Sequence, residues 1–117
     1  MTDVAPILIV EDNAILAMDL QDELRDHGHG ALCAGSVVEA MELNDETPAR
    51  LAILDMHLGS ETTFDLARQL GGQGVPFIFL SGNDTSSLPE DLRSCKVLTK
   101  PVRIDDVLEA IRGAGQS

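Results

Sequence analysis

At 117 residues the chain is long enough for one domain and for a core that takes about two-thirds of the unfolded surface out of water. Its 8 basic and 20 acidic residues leave a net charge of −12, which argues against direct contact with nucleic acid or anionic membranes, because both need clustered Lys and Arg. With 44% hydrophobic residues, no Trp, no Tyr and three Phe, the composition is that of a soluble globule with an aliphatic core, not a disordered segment.

In chain order, Pro6 to Val10 reads as a first strand ending on Glu11-Asp12, with Asn13 placed to cap the first helix. Ile15, Leu16, Leu20 and Leu24 recur every three to four residues. That spacing predicts a helix ending at His27-Gly28, where Gly takes a left-handed cap and His27 and His29 complement the negative end of the helix dipole. Ala31 to Ala34 is a second strand. Ser36-Val37-Val38-Glu39 is a capping-box signal for a helix running to about Asp45. Leu51 to Leu54 is a third strand, ending on Asp55.

Thr62 or Thr63 opens a third helix with Phe64, Ala67 and Leu70 inward and Gly71-Gly72 at its end. Phe77 to Leu80 is a fourth strand ending on Ser81. Ser86-Ser87-Leu88-Pro89 marks a late or broken start to a fourth helix. Lys96 to Leu98 is a fifth strand, followed by Lys100-Pro101 as a candidate cis peptide. Ile104, Val107, Leu108 and Ile111 then define a last helix, with Asp105 and Asp106 favourable in its first turn. Four of the five apolar runs lack two-residue alternation, as expected of a parallel sheet covered on both faces. The pattern is (βα)₅, a three-layer α/β/α sandwich with right-handed crossovers.

The N-terminus has no charged region followed by an apolar one, and no run approaches membrane-spanning length, so the expected location is cytoplasmic. Cys33 and Cys95 show no metal-ligand spacing and read as small core residues in a reducing compartment.

The polar signals matter because open α/β sheets keep their chemistry at the C-terminal ends of the strands. Glu11, Asp12 and Asp55 would bring three carboxylates into one crevice, where they repel unless a cation sits among them. Such an oxygen-rich, incompletely walled site suits Mg²⁺. Lys100 adds a compact charge and Ser81 a hydroxyl donor, both suited to phosphoryl oxygens. Taken singly, Glu11 could be solvated, Asp12 a helix cap and Asp55 a strand terminator.

Together and in this order, they resemble the receiver domain of two-component response regulators over essentially the whole chain. The resemblance implies a flavodoxin-like doubly wound sheet of strand order 2-1-3-4-5, one receiver domain over residues 1–117 and no output domain. It implies Asp55 as phosphoacceptor, Asp12 as direct Mg²⁺ ligand, Glu11 in the outer shell, the His57 backbone carbonyl as a further ligand, Ser81 as switch hydroxyl and Lys100 as phosphate partner. It also implies a regulatory phosphoacceptor, not an enzyme, catalysing only its own phosphorylation and dephosphorylation. The phosphodonor would be a histidine kinase or a histidine phosphotransfer protein. The output face would be the fourth helix, fifth strand and fifth helix, presented to a target protein by a monomer or by a phosphorylation-dependent dimer.

Departures from that pattern are visible. Val97 stands where many receivers place an aromatic switch residue, and Met56 to Glu61 lacks the proline common after the acceptor. Phe79-Leu80-Ser81-Gly82 is similar to the F-A-T-G stretch of short, stand-alone receivers with non-standard switches, which also suits Val97. The chain either acts alone or is one part of a longer protein, and the stand-alone form is favoured, since the first strand begins within five residues of Met1 and the tail from Gly113 is short. His57 and Asn83, each two residues beyond a key position, are placed to set the acyl phosphate's lifetime.

The alternatives are a pseudo-receiver binding proteins without phosphate, an aspartyl phosphatase and a flavin or dinucleotide carrier. The phosphatase needs a second Asp where His57 stands. The carrier needs a glycine-rich loop after the first strand, whereas Gly71-Gly72-Gln73-Gly74 follows a helix.

Overall fold

The structure, a computed structural model, describes residues 5–82 and 88–115. The elements are β1 (Ile7–Val10), α1 (Ala14–Asp26), β2 (Ala31–Ala34), α2 (Val37–Glu46), β3 (Leu51–Asp55), β4 (His57–Leu58), β5 (Glu61–Thr62), α3 (Phe64–Gly72), β6 (Phe77–Ser81), a 3-10 turn (Glu90–Leu92), β7 (Val97–Thr99) and α4 (Ile104–Gly115). Five strands form one parallel sheet in the order β2-β1-β3-β6-β7. Counting only the strands of that sheet, this is the expected 2-1-3-4-5 arrangement, flanked by four α-helices among the described residues.

Local chemistry explains the helix ends. Asn13 Oδ1 accepts from the amides of Ile15 and Leu16 at 3.0 and 3.2 Å and starts α1. Gly28 ends it at φ +87°, a left-handed conformation that an L side chain rarely adopts. Ser36 Oγ accepts from the Glu39 amide at 3.2 Å, while Glu39 Oε1 reaches back to the Gly35 amide at 2.7 Å.

The sheet divides the core in two. Leu8, Val10, Ala52, Leu54 and Phe79 pack with Ala40, Leu66 and Leu70 from α2 and α3. Ile7, Ile9, Leu51, Ile53, Ile78 and Leu80 pack with Ala17, Leu24, Val107 and Ile111 from α1 and α4. Each buried Leu, Ile or Val side chain contributes about 1.5–3 kcal/mol, which is why the strands read as unbroken apolar runs. The second layer is wholly aliphatic, as expected. In the first, Phe64, Phe79 and Phe77 stack edge to face, with centroids 6.0 and 5.4 Å apart.

Several expectations need correction. Among the described residues, the segment from Leu88 to β7 contains the 3-10 turn and not a fourth α-helix. Pro89 precedes the turn in an extended conformation, ψ 153°, and Arg68 of α3 ties it down through two bonds to Asp91, 2.9 and 3.1 Å. The loop after Asp55 contains the antiparallel hairpin β4-β5, turning at Gly59 with φ +59°. Helix α4 continues through Gly113 to Gly115 instead of giving way to a tail at Gly113. His27 does donate to a carbonyl of the last turn of α1, Glu23 O at 2.9 Å, but His29 Nδ1 accepts from the Arg50 guanidinium. Cys33 lies in β2 as predicted, whereas Cys95 lies just before β7, packed against the core.

Candidate functional site

Strands β1, β3 and β6 end at one edge of the sheet, and each ends on a polar residue of the crevice. Glu11 follows β1, anchored by its amide to Ala34 O at 3.0 Å, and Asp55 is the last residue of β3. Ser81 ends β6, and its carbonyl accepts from the Lys100 amide at 2.7 Å, which fixes the chain at the start of the cis Lys100–Pro101 bond predicted from the sequence.

From there the Lys100 ammonium donates to Asp55 Oδ2 at 2.8 Å and to Glu11 Oε1 at 3.0 Å. The second Glu11 oxygen accepts from the Asn13 amide at 3.1 Å. Glu11, Asp55 and Ser81 are buried, whereas Asp12 is exposed. Carboxylate oxygens of Glu11, Asp12 and Asp55 all lie within 4.8 Å of one another. Hard oxygen donors gathered on one open side fit Mg²⁺, which takes one or two carboxylates and completes its shell with water and phosphate.

Burial pushes the Glu11 carboxyl above its ordinary value, helped by the charge of Asp55; the Asn13 amide and Lys100 offset only part of this. For Lys100 burial acts downward, but the bonds to Asp55 and Glu11 outweigh it and hold the ammonium above its ordinary value. The lysine is therefore charged wherever the site works.

The structure brings Glu11, Asp12, Asp55, Ser81 and Lys100 to one sheet edge. His57 lies on β4 with its side chain exposed and its ring edge-on to Phe64, centroids 6.3 Å apart. Val97 begins β7, half-buried against the aromatic side of the core. Asn83 lies outside the described residues. Sequence reasoning missed Thr63, which is fully buried and whose hydroxyl donates to the Asp55 carbonyl at 2.8 Å. It read only as a helix start, because nothing local shows a tertiary partner eight residues back. Beside the cluster, a groove of about 560 Å³ is lined by Leu16, Leu20, Leu80, Val102 and Ile104 and reached by Glu11 and Lys100.

The family model for the response regulator receiver domain matches residues 7–112. The chain belongs to this family. Receivers are the phosphoacceptor signalling domains of two-component systems, not classical enzymes. The chain is 31% identical over 110 residues to the transcriptional regulatory protein PdtaR of Mycobacterium tuberculosis, covering 90% of this chain and 54% of PdtaR. It is also 31% identical over 108 residues to the transcriptional regulatory protein PhoP of Escherichia coli K12, covering 87% and 48%. It thus spans about half the length of these two relatives.

Among solved structures, the solution structure of SdrG from Sphingomonas melonis Fr1 superposes with a TM-score of 0.81 at 31% identity, covering 97% of this chain and 98% of that one. The chemotaxis protein CheY4 of Vibrio cholerae, at 18% identity and TM-score 0.84 over 96% and 99% of the two chains, shares the receiver fold. No helix among the described residues is long and apolar enough to cross a membrane.

Proposed function

We propose that this receiver takes a phosphoryl group onto Asp55 from a histidine kinase or a histidine phosphotransfer protein, and that the modification changes the face it offers to a target protein. The observation that carries the reading is the Lys100 ammonium bonded to both Asp55 and Glu11 at the sheet edge. In the transfer, an Asp55 carboxylate oxygen forms a bond to phosphorus as the bond from phosphorus to the donor's imidazole nitrogen breaks. The electron pair stays on that nitrogen, which takes up a proton as it leaves. Asp55 then carries an acyl phosphate.

Lys100 is the group that can follow the charge, moving its bond from Asp55 Oδ2 to a phosphoryl oxygen. Asp12 and Asp55, with Glu11 behind them and the His57 backbone carbonyl beside them, would hold Mg²⁺, which when bound supplies positive charge against the phosphoryl oxygens. The Ser81 hydroxyl then serves as donor to the new phosphate. Since Val97 has no ring to swing, the rearrangement runs through Ser81 and the face made by β7 and α4. His57 and Asn83 govern how fast water reaches the acyl phosphate.

The partners in this reading are proteins, given a net charge of −12. The groove beside Lys100, with the exposed Leu16 of α1 on its wall, supports docking of a protein donor on that side.

The test is intact mass after incubation with Mg²⁺ and acetyl phosphate. A single phosphate adduct is expected in the wild type and none in Asp55→Asn. No adduct from any donor, including candidate kinases, would overturn the reading in favour of a protein-binding module that signals without phosphate.

A further inference from the structure

We infer that Thr63 is a positioning residue for the acceptor: its buried hydroxyl holds the peptide that follows Asp55, and with it the direction of the Asp55 side chain. This rests on the function proposed above.

Thr63 occupies the N-cap of α3, where a threonine hydroxyl ordinarily accepts from an amide of the first helical turn. No such bond forms here. The side chain has turned away from its own helix and donates instead to the Asp55 carbonyl at 2.8 Å, from a residue with no exposure to water. The helix forgoes a stabilising cap so that a neighbouring strand end can be tied.

What the hydroxyl ties is specific. The β1–β3 ladder ends at Val10 opposite Leu54, one residue short of Asp55. Beyond that point, the peptide joining Asp55 to Met56 is held at its N–H by Leu80 O of β6, 2.9 Å away, and at its carbonyl by Thr63. With both ends bonded, the peptide plane cannot rotate, and the Asp55 Cα–Cβ direction is set by it. Thr63 also donates its own amide to Met56 O at 3.1 Å, and its carbonyl accepts from Ala67 at 2.9 Å, so the anchor is built into the start of α3. In-line transfer depends on this attitude, since a displacement of about 1 Å costs on the order of 10²-fold in rate.

The experiment compares Thr63→Val, which keeps the branched shape and the main-chain bonds, with Thr63→Ser, which keeps the hydroxyl. The readouts are the rate constant for phosphate uptake at saturating Mg²⁺ and acetyl phosphate, per folded molecule by circular dichroism, and the Met56 amide resonance in ¹⁵N NMR. Thr63→Val is expected to slow uptake by about tenfold or more and to move the Met56 resonance, with Thr63→Ser close to wild type in both. If Thr63→Val does not fold, Thr63→Ala takes its place.

A hydroxyl-free variant within about twofold of the wild-type rate, or a serine variant as slow as it, overturns the inference. Absence of uptake by the wild type itself is a failure of the proposed function. The Met56 resonance then decides this inference: unmoved in the hydroxyl-free variant, it overturns it; moved there and restored by serine, it upholds it.

Discussion

Lys100, one residue past the edge strand β7, reaches across the end of β6 to place its ammonium 2.8 Å from Asp55 Oδ2 on β3. Its ammonium thus ties the ends of the neighbouring strands β3 and β1 to the edge strand β7. Removing it in Lys100→Ala takes away the ammonium that bridges Asp55 and Glu11 and leaves any bound Mg²⁺ to meet the incoming phosphoryl charge without it. Uptake from acetyl phosphate, followed by mass, is expected to fall by about 10²-fold or more. Lys100→Arg is expected not to restore it, because a planar guanidinium cannot occupy the place of a compact ammonium between two carboxylates.

Asp12 is exposed while Glu11 and Asp55 are buried, so the cluster can be weakened without disturbing the core. In Asp12→Asn the Mg²⁺ concentration for half-maximal uptake is expected to rise by about tenfold or more. Stability should stay within about 0.5 kcal/mol of wild type in urea unfolding. A large loss of stability with unchanged Mg²⁺ dependence would remove Asp12 from the metal site.

His57 and Asn83 are expected to control the lifetime of the phosphorylated state. After removal of donor, the loss of the adduct in His57→Ala and Asn83→Ala should differ from wild type by more than about twofold, roughly 0.4 kcal/mol in barrier. Rates inside that margin for both would assign the control elsewhere.

His29 gives a pH signature away from the site. Its ring is held below its ordinary 6.5, first by partial burial, then by the neighbouring Arg50 and His27 charges. The unfolded chain therefore takes up this proton first as pH falls, so the contribution to stability is complete above 6.5 and declines below it. The drop in Tm between pH 7.5 and pH 5.5 is expected to be smaller in His29→Asn than in wild type.

How much of this was legible in the chain depends on the range of the interactions behind each feature. The strands of the parallel sheet are buried on both faces, so each is a continuous apolar run visible without tertiary information, and the polar residue ending each run marks the crevice. Glu11, Asp12, Asp55, Ser81 and Lys100 were found for that reason. The hairpin β4-β5 was not, because two-residue strands carry no periodicity. The fourth helix was expected to start late at Ser86-Ser87-Leu88-Pro89; Ser86 and Ser87 lie outside the described residues, and after Pro89 the chain makes only a 3-10 turn, with Leu88 and Leu92 buried. Thr63 was legible as a cap position but not as a partner of Asp55, since its hydroxyl bonds across the fold and not within its helix.

The edge-on contact of His57 with Phe64 has a practical consequence. Circulating π electrons in the phenyl ring displace the proton resonances of any group packed against it, and the displacement changes steeply with distance and tilt. His57 is one of only three histidines, and the chain has neither Trp nor Tyr, so its ring signals fall in a sparse part of the proton spectrum. The protein thus carries an unlabelled spectroscopic reporter two residues from Asp55, able to follow events at that strand end in real time with no foreign probe attached.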